Sequence, residues 1–211
     1  MNRKLLSITA LIGASPLAWA HHPLGGAPME TFLHGLLSGI GHPILGFDHF
    51  FFLIAVGIAV VFTRNSLILS MFFIVSVLAG VALMLAGITL PQAELVIAAS
   101  LLIVGGIVVA GKALSLPIAV ALFTGLGIFH GWAFGESIIG QESLNPTVVS
   151  GYLAGLAMIQ WMIVSITGVL VSKIWHVAVA TDLRPRLAGA MVSGVGLALL
   201  LEHLEALLFV V

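Results

Sequence analysis

His42-Pro43-Ile44-Leu45-Gly46-Phe47-Asp48-His49 opens a long apolar run and sets two imidazoles and a carboxylate beside a proline and a glycine. Ionisable groups at membrane depth are costly, so their presence in such a run points to function. On a straight helix His42 and His49 share a face but differ by about 10.5 Å in height. Two nitrogens bound to one ion at ~2.1 Å each lie no more than ~4.2 Å apart. One continuous helix therefore does not deliver both histidines to one ion. Pro43 favours the first turn of a helix and biases the residue before it towards extended backbone. The stretch thus reads as His42 preceding the helix and folding back, with Asp48 and His49 helical. The other arrangement is two sites in series, with His42 receiving an ion and His49 holding it deeper.

Composition sets the medium around this stretch. The 211 residues are 61% hydrophobic and 7% charged, against about 25% charged in an ordinary soluble domain. The chain reads as an integral membrane protein whose first partner is the lipid bilayer. It has no cysteine, which excludes disulfides, thiolate metal sites and cysteine nucleophiles. A net charge of −1 predicts no nucleic-acid partner. The eight histidines outnumber the seven lysines and arginines.

Residues 1–20 read as a secretory signal peptide. Arg3 and Lys4 form its basic start, Leu5 to Ala14 its apolar run, and Ala18-Trp19-Ala20 its cleavage site. Cleavage would leave His21 as the new N-terminus and residues 21–211 as one transmembrane helical-bundle domain. Residues 21–29 read as extended, and Met29 to Ile40 as a short interfacial or re-entrant helix. Six apolar runs follow, at about 43–63, 66–89, 93–111, 114–134, 147–172 and 187–210, each near the ~20 residues that cross a bilayer as helix. Gly135 to Pro146 reads as a polar loop. Lys173 to Arg186 is the longest connection.

Charge placement agrees with six spans. With residue 21 outside, Arg64, Lys112, Lys173, Arg184 and Arg186 all fall in inner connections, as the positive-inside rule requires. Glu30, Glu94, Glu136 and Glu142 fall outside. The fold class is therefore all-α, with both mature ends outside. Gly127, Gly131 and Gly135 form a small-residue stripe on the fourth span. Gly189 and Ser193, with Ala190 and Gly194, suggest another on the sixth.

The same topology gathers ionisable groups into one outer layer. His42, Asp48 and His49 come from the first span, His130 and Glu136 from the end of the fourth, and Glu202, His203 and Glu205 from the sixth. Imidazole and carboxylate without thiolate suit nickel, cobalt, zinc or copper. Candidate ligands are His42, Asp48, His49, His130, Glu136 and Glu202. A free His21 amine and imidazole, with His22 and His34, could receive metal first. His203 points about 100° from Glu202, which suits lipid-facing packing as well as ligation. Gln160 and Trp161 read mostly as packing, Gln160 alternatively as facing the path.

The leader ending in Ala-Trp-Ala, the pattern His42-Pro43, Gly46, Asp48-His49, and Phe129-His130-Gly131-Trp132-Ala133-Phe134-Gly135-Glu136 together resemble the HupE/UreJ family of bacterial membrane proteins. That family is described as nickel or cobalt permeases associated with hydrogenase and urease systems. The resemblance implies uptake of Ni2+ or Co2+ from the periplasm across the inner membrane, no enzymatic activity and no prosthetic group. It leaves nickel against cobalt open, and is compatible with a homo-oligomer or a separate metal-handling partner. No Gly-rich phosphate-binding Lys-Ser/Thr motif is present, so ATP would not drive transport directly. Two other readings of the metal layer are an intramembrane zinc-dependent hydrolase and a receptor that passes metal on without transporting it.

Overall fold

The computed structural model describes residues 29–63, 66–141 and 145–208. The proposed signal peptide and the His21-His22 pair lie outside them. All secondary structure among the described residues is helical. The helices are α1 (Phe32–Leu45), α2 (Phe47–Val61), α3 (Ser66–Leu85), α4 (Ala93–Val109), α5 (Leu116–Gln141), α6 (Pro146–Val169) and α7 (Leu183–Leu208); a π-helical turn, Leu170–Ile174, continues α6.

Four segments are long and apolar enough to cross a bilayer: Ser66–Leu85, Leu116–Ile139, Pro146–Ile174 and Leu183–Leu208. The α1–α2 pair, bent by 79° at Gly46, makes a fifth if counted as one span. α4 is apolar but, at 17 residues, rises only about 26 Å. The chain is a multi-pass membrane protein, and its described residues are built of helices alone.

The helix break differs from the sequence reading. His42 does not precede the helix: it lies in the last turn of α1, and Pro43 sits inside that helix. Pro43 has no backbone N–H to offer the Gly39 carbonyl one turn earlier, yet the helix continues through it to Leu45. The break falls at Gly46, whose backbone is extended (φ −77°, ψ 105°). Its N–H still bonds the His42 carbonyl at 2.9 Å, and its carbonyl accepts from Phe50 N–H at 2.8 Å. Packing explains why α1 runs through the proline. A Cβ at Gly35 or Gly39 would collide with the Val148 or Tyr152 carbonyl of α6, and one at Gly151 or Gly155 with the Phe32 or Leu36 carbonyl of α1. Backbone contact this close holds α1 as a packed half-helix, two residues longer than the short interfacial or re-entrant helix read from the sequence.

Residues 135–141 are a second correction, being the last two turns of α5 rather than loop. Gly135 packs on Met84 of α3, and Ser137 returns its hydroxyl to the Phe134 carbonyl at 2.8 Å. The glycine stripe of this helix behaves as expected. Gly127 meets Ser76 and Gly131 meets the Val77 carbonyl of α3. On α7 the close contacts to α4 come from Gly189, Ser193 and Gly196, whereas Gly194 faces open space. Three glycine-joined pairs result: α1 with α6, α3 with α5, and α4 with α7.

α2 lies among these pairs. Phe52, Leu53, Ala55, Val56 and Ile58 are buried, and Phe52 packs against Phe73 of α3. Large apolar residues such as Leu67, Met191 and Leu201 face outward, as lipid contact requires. The two ends of the bundle differ in charge. Asp48, Glu94, Glu202 and His203 line one end. Lys112 lies at the other beside Phe62 and Ala180, where Arg186 Nε donates to the Val109 carbonyl at 2.7 Å.

Candidate metal site at the helix break

The 79° bend turns the end of α1 and the start of α2 towards α5. His49, the third residue of α2, is buried, and its Nδ1 lies 2.9 Å from Nδ1 of His130. His130 is buried on α5, with its ring stacked on Phe52 at 3.9 Å between centroids. Its Nε2 lies 2.8 Å from the Ser100 hydroxyl of α4.

The proton order of the neutral pair follows from which acceptor the Ser100 hydroxyl takes, and the carbonyl of Ile97 is the nearer one. Ser100 donates to the Ile97 carbonyl at 2.6 Å, so its oxygen accepts from His130 Nε2–H. Nδ1 of His130 is then an acceptor, and His49 Nδ1–H donates to it. The lone pair of neutral His49 is consequently on Nε2, and Oδ2 of Asp48 lies 3.8 Å from that atom. Two electron-donating atoms converge there from adjacent residues. Both ring nitrogens of His130 are engaged within the protein, one with His49 and one with Ser100.

His42 enters from the other side of the break. Its ring centroid is 6.1 Å from that of His49, and the ring of Phe134 contacts both, at 5.2 and 4.2 Å. Nδ1 of His42 lies 3.0 Å from Ser137 Oγ and 3.4 Å from Tyr152 Oη. Ser137 donates to the Phe134 carbonyl at 2.8 Å, and Tyr152 donates to the same oxygen at 3.1 Å. His42 Nδ1–H is therefore the donor to Ser137, and its Nε2 carries the lone pair. The bend does what a straight helix could not, bringing His42 and His49 to one level.

Beside Asp48 is a cavity of about 270 Å³ between α2, α4 and α7, lined by Asp48, Glu94, Glu202 and His203 with Ile97 and Leu199. Asp48, Glu136 and His203 are near enough to Glu94 for their charges to act on it. Glu202 joins the cavity rather than the histidine pair, and Glu136 is exposed on α5. His203 turns into the cavity instead of towards lipid. His34 stays apart in the first turn of α1, where its Nδ1 accepts from Glu30 N–H at 3.2 Å. Among the described residues, no three His, Asp or Glu side chains already enclose a metal position.

Sequence reading missed the supporting residues. Ser100, Ser137 and Tyr152 are ordinary helix residues in sequence, and only the assembled bundle shows which ring each one holds. Glu94 was visible as an outer charge, but its place beside Asp48 depends on how α4 packs.

The sequence is similar to known proteins over nearly its whole length. The chain is 26% identical over 203 residues to Protein HupE of Rhizobium leguminosarum bv. viciae, covering 93% of this chain and 97% of that protein. No solved structure matches. The family model described as HupE / UreJ protein matches residues 9–199, which include every helix of the cluster around His49. On that match, the chain belongs to the HupE/UreJ family.

Proposed function

We propose that the chain is a permease that takes up a divalent transition-metal ion, nickel first and cobalt next, from the periplasm across the bacterial inner membrane. The observation that carries this reading is the convergence of His49 Nε2 and Asp48 Oδ2 at 3.8 Å. That spacing is within the ~4.2 Å available to two ligands of one ion. Imidazole with carboxylate is a donor set suited to nickel and cobalt.

In this reading the acidic cavity is the entrance. Glu94, Glu202 and His203 gather the cation beside Asp48, and Asp48 and His49 hold it. His130 orients His49 from behind, as partners of metal-bound imidazoles do. His42 supplies a further nitrogen when the α1–α2 hinge at Gly46 closes the remaining distance. Glu136 adds negative charge at the rim, and His21, His22 and His34 receive ions before the cavity does. The chain crosses the membrane six times, with α4 as the short span and both mature ends outside. Binding needs neutral imidazoles, so it weakens on acidification and releases protons where they were charged.

The test is metal accumulation in cells. His49→Ala and Asp48→Ala abolish nickel accumulation while both proteins reach the membrane in wild-type amount. Full accumulation by both variants would refute the site. A hydrolase would instead hold one zinc tightly and give no uptake.

A further inference from the structure

Gln160 is 1% exposed, and neither its amide oxygen nor its amide nitrogen has a hydrogen-bond partner among the described residues. Buried polar groups are nearly always paired, and an unpaired one is costly. An amide with both ends unmet is therefore either a defect of packing or a group whose partner arrives from outside the chain.

Its position favours an arriving partner. Tyr152, Leu156, Gln160 and Val164 follow one another at four-residue spacing along one face of α6. At one end of that face Tyr152 reaches His42. At the other, Val164 and Thr167 meet Gly57 of α2. α2 and α6 run in the same direction in the six-span arrangement. Counting back four residues from the Gly57–Val164 contact sets Gln160 level with Leu53, one turn or about 6 Å inward of His49. Further inward on the same helix face, Thr167 is buried. Beyond it a groove of about 800 Å³ opens at the basic end, with Thr63, Ser172 and Thr181 among its walls. Between the His49 pair and that groove, Gln160 is a buried amide on the face of α6 that runs from Tyr152 to the Gly57 contact.

We infer that Gln160 is the first inward stop of the transported ion after it leaves Asp48 and His49. Its amide oxygen accepts from water still bound to the cation, or meets the cation itself, and so lowers the barrier between the outer site and the inner groove. Phe52 and Leu53 make the surrounding wall apolar, so no other polar side chain of α2 serves at that level. This inference rests on the permease reading, and makes Gln160 a residue of translocation rather than of capture.

The experiment uses the full chain in sealed vesicles carrying an internal nickel-sensitive dye, together with calorimetric titration of nickel to the same protein in detergent. Gln160→Leu removes both polar atoms at similar volume, Gln160→Met does so with a straight side chain, and Gln160→Glu keeps an oxygen. Loss of one hydrogen bond to a charged species predicts a fall of about tenfold in the maximal uptake rate for the apolar variants. Their half-saturating concentration and their nickel affinity in detergent stay within twofold of wild type, and Gln160→Glu recovers most of the rate. Wild-type uptake by either apolar variant overturns the inference, because Gln160 is then a packing defect. Joint loss of binding and uptake in both also overturns it, because Gln160 is then structural. Absence of uptake by the wild type refutes the permease reading itself, and the inference with it.

Discussion

Asp48 is adjacent in sequence to the histidine it serves, whereas His130 reaches that histidine only because α5 packs beside the helix break. At this scale the site is a chain of hydrogen bonds that runs to the imidazole beside Asp48. Ile97 carbonyl, Ser100, His130 and His49 pass the proton order along until Nε2 of His49 is left facing Asp48. Ser100→Ala removes the acceptor that fixes His130. It is expected to weaken nickel binding about tenfold, with the fold intact, by titration of the purified protein. An unchanged affinity would mean that His49 holds its orientation without help. The ionisable members of this chain were legible from the sequence, since a histidine in an apolar run stands out. Ser100 and Tyr152 were not, because a serine or tyrosine in a membrane helix has many uses until its neighbour is known.

Gly46 decides more at the scale of elements than the proline beside it. The sequence reading put the discontinuity at His42-Pro43, because proline is the stronger helix breaker in isolation. Packing of α1 on α6 through Gly35, Gly39, Gly151 and Gly155 outweighs that preference and moves the bend three residues on. Those glycines recur at four-residue spacing, as Gly127 and Gly131 do. A Cβ at Gly46 would lie 2.9 Å from the His49 ring and 3.3 Å from Asp48 Oδ1. Gly46→Ala therefore displaces both ligands and reduces nickel uptake while the chain still folds, as uptake and circular dichroism measured together will show. Two further glycines separate packing from propensity. Gly131→Ala sets a methyl against the Val77 carbonyl and costs about 1–3 kcal/mol. Gly194→Ala meets open space and stabilises by up to ~1 kcal/mol through helix propensity. Thermal unfolding in detergent should lower the melting temperature of the first and leave or raise that of the second.

Opposite charge at the two ends is the feature that orients the whole molecule. Basic residues gather where Lys112 and Arg186 lie, and carboxylates surround the cavity beside Asp48. The sequence carried this separation clearly, because each basic residue after residue 20 falls on one side of the six-run count. It carried the helix ends less well: α5 continues to Gln141 because Gly135 and Ser137 find partners across the bundle. The chain has no cysteine, so single introduced cysteines report orientation without background. Gln92→Cys, exposed before α4, should react with an impermeant maleimide added to intact spheroplasts, and Thr181→Cys should react only after the membrane is opened. The reverse pattern would invert the molecule and place the acidic cavity inside. The central claim is that the Asp48–His49 pair belongs to a path through this bundle and not to a receptor on its surface. The most direct measurement is the initial rate of Ni2+ entry into sealed vesicles containing only the purified chain, beside vesicles containing Asp48→Ala. The account predicts saturable entry with the wild type and none above leak with the variant. Equal entry in the two, or metal bound by the wild type without entry, would contradict it.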